Sequence, residues 1–288
     1  MAKDVYLHYT QAALDAEYDN RKKVPNHGEW LARYAAESAR TRTDLEARLD
    51  VPFGTHAGER LDVFPARAAG APVHVFIHGG YWQWLDKSDF SFVARALQPE
   101  GAAVVVVNYA LIPTVGMDEL VRQCRAAIAW VHGHAASFGG DPNRISVSGH
   151  SAGGHLVAMA MSTDWKAFGG LPTDVIKAGC AISGLYDLEP IRLCYLNAVL
   201  KLTPEDARRN SPVHCAPRRS GPLLLTLGGL EGVEYHRQSE TLAATWHSRK
   251  LPCQVVPMGK HDHFSIVAEL EDSSSTLSRL LLRQMGLR

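Results

Sequence analysis

Residues 104–107 are four valines in a row. A β-branched run with no polar alternation, far shorter than the ~18 residues of a membrane span, describes a strand covered on both faces. Such a strand belongs to a mostly parallel sheet held between layers of helix. Apolar runs of similar texture recur at 60–65, 73–77, 102–107, 144–148, 175–182, 223–227 and 253–258. Helical periodicity fills the intervals at 88–97, 117–137, 152–162, 234–250 and 273–285. This alternation predicts an α/β fold of βαβ units with right-handed crossovers, the first one or two strands antiparallel to the rest.

Two stretches depart from that rhythm. Residues 1–50 read as a helical arm: Thr10 caps a segment running through Leu14, Tyr18 and Val24, Pro25-Asn26 breaks it, and a second segment carries Trp30, Leu31, Tyr34, Ala35 and Leu45. The arm either packs over the core or covers a pocket mouth, and packing is the simpler expectation. Residues 184–219 are irregular, helical and Pro-containing, as expected of a cap-like insertion above the carboxyl ends of the strands. No linker, repeat or low-complexity tract divides the chain, so 1–288 is expected to form a single domain.

Lys+Arg and Asp+Glu both number 30, for a formal charge of zero. A neutral chain lacks the electrostatic footprint of a nucleic-acid or anionic-membrane partner. The N-terminus has no apolar core of a signal peptide, and no apolar run reaches membrane-span length. Five scattered cysteines, 124, 180, 194, 215 and 253, contain no C-x-x-C pair and predict a reducing compartment, the cytoplasm, in preference to a disulfide framework.

The chemistry concentrates in Gly149-His150-Ser151-Ala152-Gly153, a G-x-S-x-G pentapeptide between the apolar run 145–148 and the helical run 154–161. A strand-to-helix turn of this kind strains the backbone at the serine and needs small neighbours, which Gly149, Ala152 and Gly153 supply. It also sets Ser151 at a helix N-terminus, where free N–H groups favour developing negative charge. The bland alternative is a Gly-rich turn with an idle serine. A second motif, His78-Gly79-Gly80-Tyr81-Trp82, directly follows the run 73–77. Its glycines let the N–H groups of Gly79, Gly80 and Tyr81 approach an oxyanion, with the N–H of Ala152 as a further donor. A plain turn is again the alternative.

These motifs, with Asn108-Tyr109, the run 138–155, Ser183–Glu189 and His236–Ser239, resemble the α/β-hydrolases with an HGG-x-W motif. That group includes the kynurenine formamidases (arylformamidases) and related carboxylesterases. The resemblance spans most of the chain. It implies an α/β-hydrolase fold, a Ser–acid–His triad without cofactor or metal, hydrolysis of a small ester or N-formyl amide, and, as many relatives are dimers, a homodimer. In such folds the acid and the histidine follow the serine in chain order, each after a strand. Glu231, in the loop after 223–227, stands where similar sequences carry Asp; Glu234 and Asp187 are its rivals. In Gly259-Lys-His-Asp-His-Phe264, the His-Phe-Ser pattern matches the family's catalytic position and favours His263 over His261. Two alternating histidines with no third ligand make a weak metal site.

The expected mechanism has Ser151 as nucleophile, His263 as general base and Glu231 as the acid orienting it. Tyr81, Trp82, Trp84 and Tyr186 would frame an aromatic small-molecule substrate, although Trp82 equally suits the core beneath the oxyanion loop. An arylformamidase is the leading expectation and a short-chain carboxylesterase the next. A non-catalytic binding protein would have lost a triad residue, and a metal-dependent formamidase would need a histidine-rich motif that the surroundings of His56 do not supply.

Overall fold

The computed structural model describes residues 3–288, so the first two positions of the expected arm lie outside it. Its centre is an eight-stranded sheet of β3 (Arg48–Pro52), β4 (Arg60–Phe64), β5 (Ala71–Ile77), β6 (Ala103–Val107), β7 (Gly140–His150), β8 (Ile176–Ile182), β9 (Leu223–Gly228) and β10 (Cys253–Met258) in the order β10-β9-β8-β7-β5-β6-β4-β3. Pairing is parallel from β6 through β10, while β4 runs antiparallel to β6 and β3 antiparallel to β4.

The absence of polar alternation in the central strands follows from their burial on both faces. Val73, Val75, Ile77, Val105 and Val147 enter a core with the helices Met117–His134, Ala152–Met161 and Val233–Ser248. Phe76, Val104, Val106 and Cys180 enter a second core on the opposite face, with Ala94–Leu97, Thr276–Gln284 and Tyr34 of the arm. Each such side chain contributes roughly 1.5–3 kcal/mol through burial. The edge strand β3 is mostly exposed and carries Arg48 and Asp50, charges that discourage edge pairing with another chain.

Three local expectations change. The N-terminal segment begins with a small hairpin of β1 (Asp4–Tyr6) and β2 (Tyr9–Thr10) ahead of the arm helices. Thr10 does cap a helix, Gln11–Tyr18, but that helix stops at Asp19, whose carboxylate caps a new short helix, Asn20–Lys23. The helix expected at 88–97 is two 3₁₀ turns, Lys87–Asp89 and Ser91–Val93, followed by Ala94–Leu97, because Asp86 and Asp89 form a capping box that tightens the first turn. Among the described residues, no helix is long and apolar enough to cross a membrane.

Candidate active site

β6 and β7 leave β5 on opposite sides, so the crevice at the carboxyl ends of β5 and β7 is the topological switch point where open α/β sheets bind ligands. The loop after β5 carries His78–Trp82 and the turn after β7 carries Ser151. Ser151 has φ 57° and ψ −117°, a conformation that costs a non-glycine residue of order 1–3 kcal/mol. Its N–H donates to the Ile182 carbonyl at 2.8 Å, and the helix Ala152–Met161 starts at once. The flanking glycines are sterically required. A Cβ on Gly153 would lie 2.0 Å from the Ile77 carbonyl oxygen, and one on Gly149 would lie 2.5 Å from the Gly153 oxygen.

His263 Nε2 lies 3.0 Å from Ser151 Oγ, and His263 Nδ1 lies 2.8 Å from Glu231 Oε2. The other carboxylate oxygen of Glu231 accepts from the Gly228 N–H at 2.7 Å and from Ser183 Oγ at 2.5 Å. One oxygen is thereby anchored and the other faces the imidazole. The acid and histidine loops meet closely: a Cβ on Gly228 would sit 2.3 Å from the His261 carbonyl oxygen, which accepts the Leu230 N–H. His150 ties them to the serine turn through its Nε2, 2.8 Å from the His263 carbonyl oxygen. Burial keeps His150 neutral by pushing its pKa well below the usual imidazole value.

The rival residues have other partners. Glu234 is buried against Tyr18 Oη and a two-point contact from Arg237. Asp187 accepts from Tyr6 Oη and the Glu189 N–H. His261 lies 3.3 Å from Glu269, away from the serine.

In the His78–Trp82 loop, Gly80 has φ 108°, and a Cβ there would fall 1.9 Å from the Trp84 carbonyl oxygen. Gly80 O accepts the N–H groups of Gln83 and Trp84, which curls the chain into a tight turn. The loop is braced from behind. Tyr109 Oη donates to the His78 carbonyl at 3.0 Å, the two rings stack at 4.4 Å, and Asn108 Oδ1 lies 3.0 Å from His78 Nε2. Among the described residues, the N–H groups of Gly79, Gly80, Tyr81 and Ala152 donate to no protein acceptor, leaving four donors on the loop after β5 and at the start of the serine helix.

A cavity of about 520 Å³ opens onto Ser151 and His263. Tyr81 and Trp84 line it as expected; Trp82 and Tyr186 do not. Trp82 is wholly buried, its Nε1 donating to His155 Nδ1 at 3.1 Å, so of its two expected places it takes the core. Tyr186 is also wholly buried, folded beneath Gly184, because Gln238 captures the backbone N–H groups of both Tyr186 and Asp187. Much of the remaining wall comes from residues that the sequence did not single out as pocket residues. The arm contributes Asp19, Asn20, Arg21, Leu31 and Tyr34, and the 184–219 stretch contributes Tyr195 and Leu196. Asn20 Nδ2 donates to Tyr235 Oη at 2.7 Å and to Tyr81 Oη at 3.2 Å, joining the arm to the loop that bears the free donors. The arm both packs and walls the pocket. Its polar residues sit in a helical pattern that looks like any solvated face, so nothing in the sequence set Asp19, Asn20 or Arg21 apart.

This sheet, with a serine on a strained strand–helix turn and a histidine and carboxylate on successive loops, defines an α/β-hydrolase. The BD-FAE family model matches residues 61–180. The kynurenine formamidase of Danio rerio is 35% identical over 254 residues, 86% of this chain and 85% of that protein. A solved protein from Silicibacter sp. TM1040 is 29% identical and superposes with a TM-score of 0.81 over 92% of this chain and 97% of its own. The esterase of Pyrobaculum calidifontis, 18% identical, shares the fold at a TM-score of 0.75 over 94% and 95% of the two chains. The chain belongs to the kynurenine formamidase family, and it is a hydrolase.

Proposed function

We propose that this hydrolase cleaves the N-formyl group from an aryl amide, with Ser151 as nucleophile, His263 as general base and Glu231 as the orienting acid. The observation that carries the reading is the continuous line from Ser151 Oγ through the imidazole to Glu231, with contacts of 3.0 and 2.8 Å. Ser151 Oγ attacks the formyl carbon as His263 Nε2 takes its proton. Glu231 holds the Nδ1–H tautomer and stabilises the imidazolium. The N–H groups of Gly79, Gly80, Tyr81 and Ala152 receive the oxyanion; each such donor is worth about 10²–10³ in turnover. His263 then protonates the departing arylamine. Water, activated by the same histidine, attacks the formyl ester and releases formate and free Ser151. No step calls for a cofactor.

The chain is taken to act as one unit, with residues 184–219 roofing the pocket through Tyr195 and Leu196. The dense packing at the serine suits the smallest acyl group: Ser151 is 3% exposed, and a Cβ on Gly79 would stand only 3.1 Å from its Cβ. Tyr34, Trp84, Phe90 and Phe264 along the cavity suit an aryl leaving group. Five unpaired cysteines support a cytoplasmic setting. The homodimer is carried forward on the resemblance alone, and sedimentation equilibrium settles it.

The same line serves a short-chain carboxylesterase, since an alkoxide leaves more readily than an amine. Comparing kcat/KM on N-formylkynurenine, simple formanilides and short p-nitrophenyl esters separates the two readings. The expected result is hydrolysis of both classes, with the aryl formamide preferred. Exclusive ester cleavage would replace the formamidase reading. A labelled fluorophosphonate is expected to attach at Ser151, and its failure to react with folded protein would defeat both.

A further inference from the structure

The cavity wall holds one cation whose hydrogen-bonding capacity is unspent. Arg21 lies in the short helix Asn20–Lys23, just past the break at Asp19, and its guanidinium carbon sits 3.8 Å from the centre of the Trp84 ring. Both residues line the cavity that reaches Ser151. The neighbouring cations are engaged, Lys22 with Asp19 at 2.9 Å and Lys23 with Glu17 at 3.3 Å. Arg21, by contrast, makes no ion pair and no hydrogen bond among the described residues. Asp19, the carboxylate on the same wall, is taken up by Lys22 and by capping the Lys22 N–H. Stacking on an indole uses the face of a guanidinium and leaves its in-plane N–H fork free for a planar anion.

The anchoring of Trp84 gives this cation a defined reach. The Trp84 N–H is held by the carbonyl of Gly80, whose own N–H is one of the free donors beside Ser151. One tight turn thus links the surface on which Arg21 rests to the donors around the scissile carbonyl. The same cavity is lined by Leu31, Tyr34 and Phe90, which give it an aromatic and apolar wall.

We propose that Arg21, stacked on Trp84, receives a carboxylate at the end of the substrate remote from the scissile bond, and so selects anionic aryl amides or esters. This rests on the hydrolase reading above and deepens it by naming the substrate class. Arg21 is a specificity residue. It fixes how the substrate lies across the cavity, with the acyl group at Ser151, the ring against the apolar wall and the acid at the mouth. The mouth is open to water, so the preference weakens as salt screens the pair.

The test uses two matched pairs: an aryl formamide bearing a carboxylate on its side chain against the corresponding carboxamide, and a phenyl acetate pair differing in the same way. The native protein is expected to favour the acid in kcat/KM by roughly tenfold at low ionic strength, chiefly through KM, as befits one charge-assisted fork. Arg21→Gln brings that ratio near one, and Arg21→Lys, which keeps the charge but loses the fork, falls between. Both variants are expected to unfold within about 2 °C of the parent, as exposed substitutions do. Acid and carboxamide cleaved equally by the native protein, or a ratio that survives Arg21→Gln, would overturn the proposal while leaving the hydrolase reading intact. If only the acetates are cleaved but their ratio depends on Arg21, the formamidase reading falls and the carboxylate site stands. Cleavage of neither pair overturns both.

Discussion

The turn at Ser151 and the arm segment 19–34 face the same cavity, but different forces put them there. The turn is dictated locally: φ 57° at Ser151 and glycines whose Cβ atoms would overlap carbonyl oxygens at 2.0 and 2.5 Å leave few other sequences for it. The arm is placed by distant partners. Leu14 and Tyr18 are wholly buried, Asn20 is hydrogen-bonded to Tyr81 and Tyr235, and Tyr34 packs with Phe90 and Phe92. The groups assigned to bond breaking are therefore written in short motifs, and those that wall the cavity are scattered over the fold.

Substitutions should separate the two regions by which kinetic constant they move. The largest effect is expected for Ser151→Ala, which deletes the attacking oxygen; kcat for formamide or ester should drop by at least about 10⁴-fold with little change in substrate binding. Glu231→Gln should follow at roughly 10⁴-fold in kcat, because an amide leaves the imidazole in the wrong tautomer and does not stabilise its charged form. Should Glu234→Gln have the larger effect, the acid would be misassigned, although Glu234 is spent on Tyr18 and Arg237.

On the arm side, Asn20→Ala is expected to raise KM about tenfold while kcat changes several-fold less. It should also lower stability by about 1–3 kcal/mol in urea titrations, since the buried hydroxyls of Tyr81 and Tyr235 lose a common partner. A collapse of kcat with KM unchanged would erase the distinction between the two regions.

A last effect, which bears on the scaffold and not on the comparison of kinetic constants, concerns acid. Burial lowers His74 to about 3 and His155 to about 4, and it lowers His78 as well. The unfolded chain, whose histidines titrate near 6.5, binds these protons first, so stability is fully present above about pH 6.5 and is lost as pH falls toward 4. At pH 5, His74 and His155 should each subtract about 2 kcal/mol relative to pH 7.5. Urea midpoints measured across that range check the slope; a midpoint rising on acidification would contradict it. Alanine at His155 should also free Trp82 Nε1 of its partner.

The sheet was legible because Val104–Val107 and its neighbours advertise two-sided burial, and the strand runs at 73–77, 175–182 and 223–227 lie within about two residues of the strands observed. Ser151 was legible from its strand–turn–helix motif, and His263 and Glu231 from the chain order that the fold imposes together with the family resemblance that favoured them over His261 and Glu234. What escaped depends on tertiary context. β3 is stabilised by pairing with β4 and has too many charges to read as a strand. Ser183 gave no sign of facing Glu231, since its hydroxyl meets the carboxylate only when β8 and β9 lie side by side. Tyr186 looked like a mouth residue because nothing nearby in sequence announces that Gln238, some fifty positions on, pulls its backbone inward.

His150 has one further implication. Its ring joins the backbone of the histidine loop to the residue preceding the serine, and its depressed pKa keeps that link uncharged across ordinary pH. The backbones that carry the serine and the imidazole are therefore directly tied to each other. Warming should not produce a population that is folded yet misaligned, and catalytic competence and native structure should vanish together at a single temperature.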